Sequence, residues 1–163
     1  LEWTVARSDL APWHPGRCAE LIVNGKAVAH AGELHPRIIA AYGLPERSVA
    51  FAVALNALPE SSLVRPTTVG TMPAAVQDVA LIVDSTVSAA DLQAALREGA
   101  GELLESITLF DRYDKIGDGK ISLAFTLVFR ASDRTLTGEE VSAMREAATA
   151  QAAAKFGAIV RTA

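Results

Sequence analysis

The chain contains a single cysteine, Cys18, which excludes an intrachain disulfide and fits a reducing compartment. Half of its residues are apolar, yet none of the apolar runs reaches the roughly 18 residues that a membrane-spanning helix requires. It does not begin with Met, and Leu1-Glu2-Trp3-Thr4 has neither the basic start nor the apolar stretch of a secretory signal. A piece of a longer, cytoplasmic polypeptide is the expected origin. Basic charge is also short. The formal net charge is −4, and from Thr67 onward nine Lys or Arg face thirteen Asp or Glu. A protein that holds nucleic acid through phosphates alone needs a basic surface, so any RNA contact here is expected to be small, local and directed at bases. His14, His30 and His35 are scattered beside one thiol, so no zinc-ligand spacing exists. Also missing are a phosphate-cradling Gly-rich loop, a pair of catalytic carboxylates and a Ser-x-x-Lys constellation. No catalytic, metal or cofactor site is expected within this chain.

What is present divides into two units, separated by the Pro- and Ser-rich punctuation Pro59-Glu60-Ser61-Ser62 and Arg65-Pro66-Thr67-Thr68. The expected boundaries are 1–60, a linker at 61–68, and 69–163. In the first unit, residues 19–23 and 27–31 flank Asn24-Gly25, a pair that tolerates the positive φ of a type I′ hairpin turn. Pro36 opens a short helix that Gly43 ends. Residues 48–55 read as a strand buried on both faces. With so little core of its own, this unit is expected to complete a larger α+β fold.

The second unit is the clearer one. Residues 76–83 alternate, with Val79, Leu81 and Val83 on one face and Asp78, Ala80 and Ile82 on the other. Ser88 and Asp91 resemble a capping box, and the helix behind them aligns Leu92, Leu96 and Gly99. Residues 103–113 form a second strand and Gly117-Asp118-Gly119 a turn. In the third strand, 120–130, Ile121, Leu123, Phe125, Leu127 and Phe129 share a face, with Ser122 and Thr126 opposite. Thr137 and Glu140 cap a second helix that buries Val141, Met144, Ala148 and Ala152, and residues 158–160 close the chain. The order βαββαβ predicts a ferredoxin-like sandwich, a four-stranded antiparallel sheet with both helices on one face and the other face open.

The open face is where function is expected. Ala80 and Ser122 are small there and leave the backbone within reach of a flat ligand. Asp111 and Tyr113, two residues apart, share a face. Strict alternation from Leu109 turns them toward the helices; since burying an unpaired Asp is costly, a β-bulge or the end of the strand is expected to turn them outward. The plainer reading makes Asp111 a turn acceptor and Tyr113 an ordinary edge aromatic. Lys115 and Lys120 bring local positive charge that Asp114 and Asp118 offset. Arg134 sits in a loop entering a helix, where it can reach a phosphate. His14 and Cys18 lack a third group to orient a base, and Glu33-Leu34-His35 reads as a loop entering a helix.

Several of these motifs in order, Pro73, Asp78-Val79-Ala80, Leu109-Phe110-Asp111-Arg112-Tyr113, Gly119 to Ala124, Asp133 to Val141 and Val160-Arg161, resemble the C-terminal anticodon-binding domain of bacterial phenylalanine–tRNA ligase beta subunits. His14-Pro15-Gly16-Arg17, Gly32 to Pro36 and Tyr42-Gly43-Leu44-Pro45 resemble the end of that subunit's non-catalytic, class II synthetase-like module, which packs against the catalytic alpha subunit. The resemblance implies tRNA(Phe) as partner, with the residues matching Asp111 and Tyr113 engaging the first anticodon base and those matching Ser122 and Ala80 lining its pocket. It also implies an alpha2beta2 parent enzyme that uses ATP and magnesium on its alpha subunit. Gln77 and Ile121 stand where the family usually carries positive charge, which weakens any backbone contact there. Two other readings remain: an amino-acid-sensing regulatory module, since this fold hosts such sensors, and a structural tail that holds subunits together.

Overall fold

A computed structural model describes residues 3–58, 60 and 70–161, so the expected linker at 61–68 lies outside the described residues. The chain separates into two compact units, Leu1–Arg65 and Pro66–Ala163.

In the first unit, β1 (Trp3–Ser8), β2 (Trp13–Val23), β3 (Lys26–Leu34) and β4 (Val49–Val53) form an antiparallel sheet in that order. The β2–β3 turn has both Asn24 and Gly25 at positive φ, as the expected hairpin requires. Helix α1 (Pro36–Tyr42) joins β3 to β4; its first turn is capped by His35, whose ring nitrogen accepts from the Arg37 amide, and it ends at left-handed Gly43. Buried Trp13 donates its indole N–H to the Ala50 carbonyl at 3.0 Å and stacks on His30. Glu33 bridges Arg17 at 2.8 Å and Arg47 at 3.4 Å.

One expectation for this unit is corrected, and one strand, β1, was not expected and is identified by its pairing with β2. β4 is not buried on both faces: Val49 is 77% and Phe51 78% exposed. An apolar run shows that a strand avoids water, not that a second layer exists to cover it. β4 is the edge of its sheet, and among the described residues of this unit no element lies over its outer side.

The second unit has the predicted α+β plan. β5 (Ala75–Asp84), α2 (Ala89–Ala100), β6 (Leu104–Gly117), β7 (Lys120–Phe129), α3 (Gly138–Phe156) and β8 (Ile159–Val160) follow one another, and the antiparallel sheet runs β6-β7-β5-β8. Alternation decides the two faces. Val79, Leu81, Val83, Ile121, Leu123, Phe125, Leu127 and Phe129 are buried beneath α2 and α3 together with Leu92, Leu96, Val141, Ala148 and Ala152. The even-numbered positions of β5 and β7 face away from both helices.

Local chemistry sets the helix starts. Ser88 Oγ accepts from the Asp91 amide at 3.0 Å. Thr137 and Glu140 form the full reciprocal box, and the Arg134 guanidinium donates to Glu140 at 2.7 Å. The Thr137 amide, ahead of that guanidinium, holds the Glu140 carboxyl down at about 2.

Gly99 sets the helix pair. A Cβ there would lie 2.6 Å from the Ala147 carbonyl oxygen and 2.8 Å from Ala148 Cα. Gly99→Ala gains roughly 0.5–1 kcal/mol of helix propensity but forces backbone apart, an overpacking cost of about 1–3 kcal/mol. We expect the second to prevail, seen as a lower urea midpoint; a raised midpoint would show that α2 and α3 separate freely.

Candidate nucleic-acid interface

The site begins with an irregularity in β6. Leu109 pairs with Phe125, but the next partner, Ala124, is met by Asp111 rather than Phe110. One extra residue is thereby inserted, and every later side chain of β6 is turned over. Asp111 stands opposite Ala124, and Tyr113 opposite Ser122, so both share the face away from the helices. Had Phe110 paired with Ala124 instead, both would continue the face of Ile107 and Leu109. The extra residue accomplishes what the sequence required of it: the carboxylate stays exposed, and Tyr113 is 43% exposed.

Beneath the ring lies a floor of small residues. Ala80 of β5 pairs with Ala124 of β7, and Ser122 lies between Tyr113 of β6 and Ile82 of β5. The expectation that Ser122 is open to a ligand is corrected: it is on the expected face but only 3% exposed. Strand parity gives the direction of a side chain, whereas cover depends on the size of its cross-strand neighbours, here a tyrosine and an isoleucine. Ala80 is half-buried.

Over the Tyr113 ring lies a cation whose contact with it no local sequence signal identifies. The Arg161 guanidinium carbon is 5.6 Å from the ring centroid, within cation–π range. Its backbone is fixed, since the Arg161 amide donates to the Ala80 carbonyl at 2.8 Å. Ring and guanidinium thus meet above the alanine and serine floor from opposite edges of the sheet.

The remaining expected residues divide. Lys120 shares the parity of Ser122, and its ammonium lies 3.9 Å from Asp84, a long pair between half-exposed groups that contributes little. Asp84 is held below the usual carboxylate range chiefly by the Thr86 hydroxyl, then by the Thr86 amide and Lys120. Arg134 is not brought to this cluster. It follows the end of β7 at Phe129, which pairs with Ala75 and Leu104 at the far end of the sheet, and its guanidinium is engaged by Glu140 and Asp133. The two positions lacking the expected positive charge point elsewhere: Ile121 is buried in the helix-side core, and Gln77 receives the Arg145 guanidinium at 3.5 Å. Among the described residues no helix is long and apolar enough to cross a membrane, and no group of three His, Cys, Asp or Glu side chains is placed to hold a metal ion. The arrangement offers an aromatic plane, an acceptor-only carboxylate beside it and a shallow floor, which suits one flat, N–H-bearing heterocycle.

Two family models match the chain. Residues 70–161 match the family model described as the ferredoxin-fold anticodon binding domain, and residues 1–55 match that of the phenylalanyl tRNA synthetase beta chain CLM domain. The chain is 53% identical to the phenylalanine–tRNA ligase beta subunit of Streptomyces avermitilis, over 99% of its own length and 20% of the relative's. It is 51% identical to that of Thermobifida fusca, over 99% and 20%, and 52% identical to that of Corynebacterium jeikeium, over 99% and 19%. It therefore spans about a fifth of the length of these relatives.

Proposed function

The chain belongs to the ferredoxin-fold anticodon binding domain family, and from that premise we propose that its second unit receives the anticodon of tRNA(Phe) as part of a phenylalanine–tRNA ligase beta subunit. The observation that carries the reading is the insertion in β6, which turns Asp111 and Tyr113 together onto the uncovered face. An anticodon loop offers unstacked bases, and proteins read such bases by aromatic stacking and by hydrogen bonds to their edges. The first anticodon base displaces the Arg161 guanidinium from the Tyr113 ring and lies on it, and the Asp111 carboxylate accepts from its N–H edge, which favours guanine. Ala80 and Ser122 keep the floor beneath it low, and Lys120 supplies a weak local positive charge. The acidic balance of the unit then has a reason, since recognition through one base does not need a basic field.

In this reading the first unit is part of a non-catalytic, synthetase-like module that adjoins the alpha subunit of an alpha2beta2 cytoplasmic enzyme. That enzyme joins phenylalanine to tRNA with ATP and magnesium. The resemblance to that subunit assigns the metal, the nucleotide and the chemical step to the alpha subunit.

Asp111→Asn in the assembled ligase tests the reading. A hydrogen bond to a charged group contributes about 1.5–3 kcal/mol, so binding of tRNA with guanine at the first anticodon position is expected to weaken about 10- to 150-fold. Discrimination against adenine there should shrink by the same factor. Unchanged discrimination would refute the role of Asp111.

A further inference from the structure

The face of the Tyr113 ring that a base would cover is taken, in the protein alone, by the Arg161 guanidinium. Tyr113 belongs to one edge strand of the sheet and Arg161 follows the other, three strand spacings or about 14 Å apart. Two long side chains span that distance only because the residues between them are small. Arg161 is tied to Ala80 through its amide, Ala80 pairs with Ala124, and Ser122 lies one same-face position further along β7. A large side chain at Ala80 or Ala124 would stand between ring and guanidinium. The low floor therefore serves the protein's own contact before it serves a ligand.

The contact is also a replaceable one. Arg17, Arg112, Arg130 and Arg134 each donate to a carboxylate, at 2.8, 2.8, 3.0 and 2.7 Å. Arg161 meets a half-exposed ring instead, where the attraction is weak. Its backbone is fixed and its side chain is not, so the guanidinium can leave the ring without disturbing β8. We propose that Arg161 is a latch that occupies the stacking position while no RNA is bound and is displaced by the incoming base. This rests on the anticodon reading above and concerns the regulation of that position rather than a further RNA contact. A cation–π contact at an exposed site keeps the position closed about two to five times as often as open. A base then binds about three to six times more weakly than it would to an uncovered ring. Stacking of a base is the stronger interaction, so the base prevails once its loop is docked.

The test compares tRNA(Phe) with a tRNA that lacks only the first anticodon base, each bound to the assembled ligase. The ratio of the two affinities is the gain from seating that base, and any effect of a lost charge on the rest of the RNA cancels from it. Arg161→Gln keeps the amide that bonds Ala80, and with it the gain is expected to rise about three- to sixfold over the wild type. Tyr113→Ala should abolish most of the gain, and adding Arg161→Gln to it should change nothing further, since the latch then has no ring to cover. If Tyr113→Ala lowers the gain while Arg161→Gln lowers it or leaves it unchanged, the latch is refuted and the anticodon reading stands. A rise with Arg161→Gln that persists in the absence of the ring also overturns the latch, because the guanidinium would then act elsewhere. If Tyr113→Ala does not lower the gain, both readings are refuted.

Discussion

Tyr113→Ala in the assembled ligase is expected to raise the apparent KM for tRNA by about 5- to 150-fold, while phenylalanine activation by ATP stays unchanged. The magnitude follows from base–aromatic stacking, which contributes about 1–3 kcal/mol per base. The separation of the two readouts follows from position: the ring is exposed on a sheet face, and in the proposed reading phenylalanine activation belongs to the alpha subunit. Tyr113→Phe should keep most of the affinity, because the plane and not the hydroxyl carries the stack. Loss of the ring also frees Arg161 from its cation–π contact, worth about 0.5–1 kcal/mol at an exposed site, so a small stability loss should accompany the larger binding loss. Equal damage to amino-acid activation would indicate a collapsed domain and exclude a local role for the ring.

Deleting Phe110 is expected to leave the site in place. Asp111 would then follow Leu109 directly and still meet Ala124, and Tyr113 would still meet Ser122, so both keep the face away from the helices while the local kink of the bulge is lost. Affinity for tRNA should stay within severalfold of the wild type. Phe110→Ala is the control. It keeps the insertion and removes a side chain that is 58% exposed, so its effect on stability should stay within about 0.5 kcal/mol. Loss of specific tRNA binding in the deletion alone would show that the kink itself, and not only the facing of the two residues, is needed.

These two variants show which parts of the molecule the sequence discloses. Thr137 with Glu140, Ser88 with Asp91, and Asn24-Gly25 act within a few residues of themselves, and their signals became the observed caps and turn. The core of the second unit followed from alternation, because a covered sheet face demands every second side chain. The bulge was legible only indirectly, through the cost of burying Asp111. Contacts between distant segments left no trace. Arg161 over Tyr113, Arg145 beside Gln77 and the burial of Ser122 depend on which strands become neighbours, and β4 looked buried because its composition is apolar. Arg134 was ambiguous for a related reason, since the motif that starts α3 and one that holds a phosphate use the same residue types.

The two ladders of the ferredoxin-like sheet differ in regularity, and that difference has a mechanical meaning. β5 and β7 pair through ten consecutive residues without interruption, whereas the β6–β7 ladder is broken in three places. The central pair is therefore a stiff spine, and compliance is concentrated in the strand that bears the ring and the acid. In the proposed reading, a nucleotide of slightly different tilt is accommodated by flexing the end of β6 beyond Leu109, whose residues lie outside the hydrophobic core.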